Sequence, residues 1–297
     1  MKRVPVFLIS IALTGLVILA GCAASAPGTG NGPALSADGT RPAVSPAVSP
    51  GPAGSPSAVT PRDPVASIRE FTGNQTAAIT LAYNLTAFDG RRIDIYRMGG
   101  DNFYVDGNTG TVMGAAFISI PPVKAGPYTN VTAEPVARAY AEKHYPGFTT
   151  RNMVARSETL DHGDAGIEYM YTWTEMEDGV DVGNLAAVSV NPDGQVLSYH
   201  AYDDPVPHFE PATLSMETAN ATAVDYVITR GSIKNVTEIR SWSRLALNPL
   251  NRSEVTWVVD MMVLFRDPGY PGGSDYRGGL VTINGVNGTV IGYNPLM

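Results

Sequence analysis

The folded part of the chain reads as two alternating hydrophobic periods. Val136, Ala137, Tyr140, Ala141 and His144 or Tyr145 recur at the three-to-four spacing of a helix. Thr132 stands as its N-cap, Pro135 sits in the first turn, and Pro146-Gly147 stops it. The period then drops to two. Met153 to Leu160 leads into an Asp161-His162-Gly163-Asp164 turn, after which Ile167, Tyr169, Tyr171 and Trp173 alternate with Glu168, Met170, Thr172 and Thr174. Glu177-Asp178-Gly179 turns the chain into Val180 to Val190. The pattern predicts a helix followed by a four- or five-stranded antiparallel meander, with the Tyr-Tyr-Trp row facing the helix as core.

Three segments close alike. Phe103 to Gly114, Val188 to Tyr199 and Leu280 to Tyr293 each read as strand, Asn/Asp/Gly turn, strand, with Gly110, Gly194 and Gly288 in equivalent places. A tight hairpin needs positive φ there, which glycine reaches without a Cβ clash. These glycines are 84 and then 94 residues apart, implying tandem units of about that size. The predicted class is α+β: tandem units of one helix packed on an antiparallel meander, residues 125–208 and 209–297, with an abbreviated first unit at 65–124. In the last unit a helix near Met216 to Thr229 precedes strands near Val236 to Leu247, Val255 to Arg266 and Leu280 to Ile283. Between the last two lies a long loop, Asp267 to Gly279.

The closing signature Val-x-Val-Asn-x-x-Gly-x-Val-x-x-Tyr, Val188 to Tyr199, resembles the PepSY superfamily, and Tyr-x-Tyr-x-Trp-x-Glu before a Gly-Val turn is similar to YcdB/YcdC-type repeats. The likeness covers the middle unit well, the third in part and the first only at its last hairpin. It implies a cystatin-like helix-on-meander fold and an extracytoplasmic, non-catalytic module tied to peptidase inhibition or envelope regulation. No catalytic residue is carried over by it.

The start of the chain changes the picture of where this happens. Lys2 and Arg3 precede an apolar run from Val4 to Leu19, and Leu19-Ala20-Gly21-Cys22 resembles a prokaryotic lipobox. Residues 1–21 are thus expected to be a lipoprotein signal peptide, with Cys22, the only cysteine, as the lipidated residue. Residues 22–64, rich in Ala, Pro, Ser, Gly and Thr, lack the large apolar side chains that offset ordering entropy and read as a disordered tether. As a flexible coil it would span roughly 35 Å. The expected location is the cell surface, anchored to the outer face of the cytoplasmic membrane. The net charge is −8, and about −10 without Lys2 and Arg3, which argues against a nucleic-acid partner. A lone cysteine forms no intramolecular disulfide, so the folded head depends on its core.

Sequons at Asn74, Asn84, Asn130, Asn220, Asn235, Asn251 and Asn287 point to N-glycans, and beside a lipobox they lean toward an archaeal surface. No nucleophile elbow, Walker loop, HExxH helix or cysteine metal site occurs. His200, Asp203, Asp204 and His208 have zinc-compatible donors, but Pro205 and Pro207 mark a solvated linker; Asp106 to Gly110 lacks the distal Glu of a calcium loop. No catalytic, cofactor or metal residue is assigned. Tyr270 and Tyr276 in the long loop are the expected contacts for a protein or peptide partner. A hydrolytic site between the repeats and a small-solute-binding lipoprotein remain the alternatives. Replacing Cys22 with Ser should move the protein from the membrane to the soluble fraction or leave it unprocessed; a free Cys22 thiol on the native mature protein, read by mass spectrometry, would refute lipidation.

Overall fold

The computed structural model describes residues 61–87, 89–266, 269, 273 and 275–295. The signal peptide, Cys22, all but the last residues of the tether and Tyr270 lie outside the described residues. Among the described residues three helices, α1 (Pro64–Thr72), α2 (Glu134–His144) and α3 (Met216–Gly231), are each followed by four strands. These are β1 (Ile79–Thr86), β2 (Arg92–Met98), β3 (Asp101–Asp106) and β4 (Val112–Ala116); β5 (Met153–Asp161), β6 (Ile167–Glu177), β7 (Val180–Val190) and β8 (Val196–Tyr202); and β9 (Val236–Asn248), β10 (Asn251–Phe265), β11 (Asp275–Asn284) and β12 (Val290–Pro295). No described helix is long and apolar enough to cross a membrane.

The protein is α+β, with one mixed, mostly antiparallel sheet. Each set of four strands is an antiparallel meander, β4 pairs antiparallel with β8, and β7 pairs parallel with β9 through Val180↔Leu245 and Asp181↔Ala246. The first segment has a short helix and four strands.

Helices form and stop for local reasons. Asp63 caps α1 by accepting from Val65 N (3.1 Å), Pro64 fits the first turn, and Gly73 at φ 72° ends it. Ser215 caps α3 through Thr218 N (3.2 Å). Thr132 is not the N-cap of α2; that position is Ala133, and the Thr132 hydroxyl instead accepts from Thr129 N (2.8 Å) in the turn before it. Ala137 and Ala141 on α2, and Ala219, Ala223 and Val227 on α3, face the sheet and are buried. Small residues four apart let the backbone of each helix settle close to the strands.

The core under α2 contains Tyr169, Tyr171 and Trp173, as the alternation predicts. One row of paired residues, Tyr171, Val188, Tyr199, Ala115, Phe103 and Tyr96, continues from β6 to β2 across the joint between the first two meanders. Val259, Met261, Val263, Val281 and Ile283 pack under α3, and Val180, Val182, Leu247 and Val255 fill the joint between the second and third meanders. Each fully buried side chain of this size stabilises by about 1.5–3 kcal/mol relative to exposure.

A latch recurs three times. The chain entering each helix donates a backbone N–H to the turn that closes the same meander: Arg62 to Thr109 O (2.9 Å), Tyr128 to Pro192 O (3.0 Å) and Leu214 to Gly285 O (2.8 Å). Those turns are headed by Asp106, Asn191 and Asn284, whose Oδ1 atoms each accept two turn N–H groups, so the Asp106 segment is an Asx turn. Gly110, Gly194 and Gly288 have φ of 72°, 80° and 75°, as the hairpin reading requires. A Cβ on Gly110 would lie 2.1 Å from Arg62 O, whereas one on Gly288 would meet only the Leu214 side chain at 3.6 Å. Gly288→Ala should therefore cost about 1 kcal/mol from backbone strain alone, and Gly110→Ala clearly more because its latch must open. Urea unfolding of the two variants checks the order; equal losses would show that the latch adds nothing.

Candidate binding surfaces

Where β8 ends, the chain meets a network of charges drawn from all three segments. Asp204 receives Arg91 Nη2 on both oxygens (2.9 and 2.8 Å) and Arg252 Nη1 (3.2 Å). Asp203 holds Arg151 (2.7 Å), which also reaches Glu175 (3.0 Å). Arg91 lies 4.3 Å from the centre of the Tyr202 ring, and Tyr202 Oη donates to Asp89 (2.5 Å). Burial would raise the Asp89 carboxyl, but hydrogen bonds from Tyr202 and the Arg91 backbone, with the Arg91 charge, hold it below its ordinary value. Burial, helped by the Asp89 bond, raises the Tyr202 hydroxyl. The segment expected to be a solvated linker is, at Asp203 and Asp204, a part-buried clasp in which one Arg91 nitrogen spans both Asp204 oxygens and Arg151 bridges Asp203 and Glu175.

The histidines do not converge. His162 meets Glu168 (3.1 Å), exposed His208 meets Glu210 (3.3 Å), and His200 lies on β8 beside Tyr104, its ring centre 6.0 Å away. Burial lowers the His200 imidazole against an opposing pull from Glu168. Among the described residues no group of three or more His, Cys, Asp or Glu side chains could hold a metal ion.

An open cleft of about 330 Å³ lies between the end of α1 and α2, lined by Phe71, Thr72, Asn74, Met98, Phe117, Tyr140, Lys143 and His144. Its wall is aromatic. His144 sits 4.1 Å from Phe71 and 4.4 Å from Tyr140, ring centre to ring centre, and Tyr199 packs behind them with its buried hydroxyl unpartnered among the described residues. Burial, with the nearby Lys143 charge, pushes His144 down to about 4. His144 at the end of α2 is thus part of this aromatic joint.

Tyr276 is not in a loop. It belongs to β11, which begins at Asp275, so the connection after β10 is shorter than the expected Asp267–Gly279. Tyr276 is paired with Leu264 and is 54% exposed. Val259, Met261 and Val263 face α3, so Leu264, Met262 and Asp260 point to the other side of the sheet, and paired neighbours follow them. Tyr276, Leu264 and Glu238 form one row on that face; Met262 with Arg240, and Trp242 with Asp260 and Leu280, form the next two. Trp242, 63% exposed, is a residue that sequence reasoning missed. Its signal was available: a Trp in β9 flanked by Arg240, Ser241, Ser243 and Arg244 has no apolar run around it.

Of the sequons, Asn74, Asn84, Asn235, Asn251 and Asn287 are exposed. Asn130 and Asn220 are half-buried, Asn130 donating to Ser157 Oγ (3.4 Å) and Asn220 accepting from Ser243.

No protein-family model and no curated protein matches the chain. Among solved structures it is similar to an uncharacterized protein from Eubacterium rectale, with a TM-score of 0.44 and 10% identity over 78% of this chain and 81% of that one.

The His144 environment sets a pH dependence. Its folded value of about 4 lies under the ordinary 6.5, so the unfolded chain binds the extra proton between those limits. The stability associated with neutral His144 is complete above about pH 6.5 and is lost as the pH falls through about 4. Across this range the melting temperature of the wild type should fall toward acid relative to that of His144→Phe, the variant having the flatter profile; parallel curves would contradict the assignment.

Proposed function

We propose that the protein is a membrane-anchored extracytoplasmic lipoprotein whose head is a non-catalytic binding module for a protein or peptide, acting in peptidase inhibition or envelope regulation. In this reading Cys22 carries the lipid, the segment to about residue 64 is the tether, and the three helix-plus-meander segments are copies of one PepSY-like, cystatin-like unit. The equivalent latches at Thr109, Pro192 and Gly285 support the repeat. The five exposed sequons suit a glycosylated surface.

The observation that carries the binding function is the exposure of Trp242 and Tyr276 on one face of the third meander, with Leu264 and Met262 between them and Arg240 alongside. Aromatic and arginine side chains combine large contact area with few rotors, which is why they dominate recognition hot spots. This moves the expected contact from a loop to a strand-borne surface, retaining Tyr276. A pull-down from envelope extract should lose its partner when Trp242 and Tyr276 are both changed to Ala, with the melting temperature unchanged within a few degrees. Undiminished recovery by that variant would exclude this face, and a hydrolytic turnover by the wild type would replace the binding reading with the enzymatic one.

A further inference from the structure

We propose that the cleft between α1 and α2 is a binding site for a small aromatic carboxylate, with Phe71, Phe117 and Tyr140 receiving the ring and Lys143 the carboxylate. The site is independent of the surface around Trp242. Its size of about 330 Å³ is at the lower end of small-molecule pockets, enough for a one- or two-ring ligand and too small for a long peptide to be enclosed.

The ring preference follows from the walls. Phe71 and Tyr140 stand 6.1 Å apart at 76°, and Phe117 and Tyr140 6.5 Å apart at 86°. Rings set at these angles can offer a planar guest both edge-to-face and offset-stacked contacts. A flexible aliphatic guest would gain area but not this geometry. Met98 completes the lining with an adaptable thioether.

The charge preference follows from Lys143. It lines the cleft, its charge reaches His144, and it makes no ion pair among the described residues, whereas its helix neighbour Glu142 is already held by Arg138 (2.9 Å). His144 is neutral near pH 7, so among the residues lining the cleft it is Lys143 that sets the sign of the charge. An ammonium at the rim of an apolar cleft favours a guest with an apolar body and one anionic end. A cationic guest of the same ring is repelled.

Titration calorimetry on the full-length chain in detergent, at low salt and pH 7, tests this with indole-3-acetate, indole and tryptamine. Indole-3-acetate should bind about tenfold more tightly than indole, and tryptamine more weakly than either. The exposed Lys143→Gln change, checked for unchanged circular dichroism, should bring indole-3-acetate to the level of indole. Indole-3-acetate, and not tryptamine, should also shield Lys143 from an amine-acylating reagent. The proposal is overturned if the acid binds no better than indole, if its advantage survives Lys143→Gln, or if Lys143 is acylated equally with and without the acid.

Discussion

The architecture turns on one strand, β7, and on the amide of Asn184 within it. Between the pairs Thr174↔Leu185 and Met176↔Asp181, β7 carries two more residues than β6, and Gly183 takes up the mismatch at φ 80°. The bulge ends pairing with β8 at Leu185 and lets the start of β7 pair with β9 instead. Asn184 fills the gap so created. Its Nδ2 donates to Glu175 (2.8 Å) and Asp204 O (2.9 Å), and its Oδ1 accepts from Asp204 N (2.9 Å). A fully buried amide is tolerated because its hydrogen-bonding capacity is used. Arg252 from β10 adds a bond to Val182 O (2.7 Å) and joins Arg91 on Asp204, so three segments of chain meet around one side chain.

Around that hub the same economical solution is repeated. A helix with an alanine stripe lies on a meander whose inner face holds the large residues, and the chain entering the helix is tied to the last hairpin. The latch closes the contact between the beginning and the end of each segment, where a short helix alone would leave both loose. The clasp at Asp203 and Asp204 then acts between segments. Its charges are part-buried, so its members depend on one another: removing one leaves an opposite charge poorly solvated, a larger effect than a surface pair would give.

The two surfaces proposed for binding lie where this packing stops. The α1–α2 joint leaves an aromatic cleft because two helices share one sheet face and meet through rings rather than through interdigitated aliphatic chains. On the third meander, α3 covers only one face, and the other presents Trp242 and Tyr276. Both places offer contact area fixed by strands or helices, so little ordering entropy is lost on binding.

The sequence by itself determined the period-two and period-three-to-four elements, the burial of Tyr169, Tyr171 and Trp173, and the positive-φ glycines of the closing hairpins. These follow from local geometry: alternation fixes the face, and only glycine reaches those turns cheaply. A local signal was also present at Gly183-Asn184, a glycine inside a strand pattern, but its consequence was not local. Tertiary structure alone decided that β7 changes partner there, that Asp203 and Asp204 are clasped rather than solvated, and that Tyr276 joins a strand. Each depends on groups far away in sequence, Arg91 for Asp204 and Leu264 for Tyr276 among them, which supply the partner that local propensity cannot name.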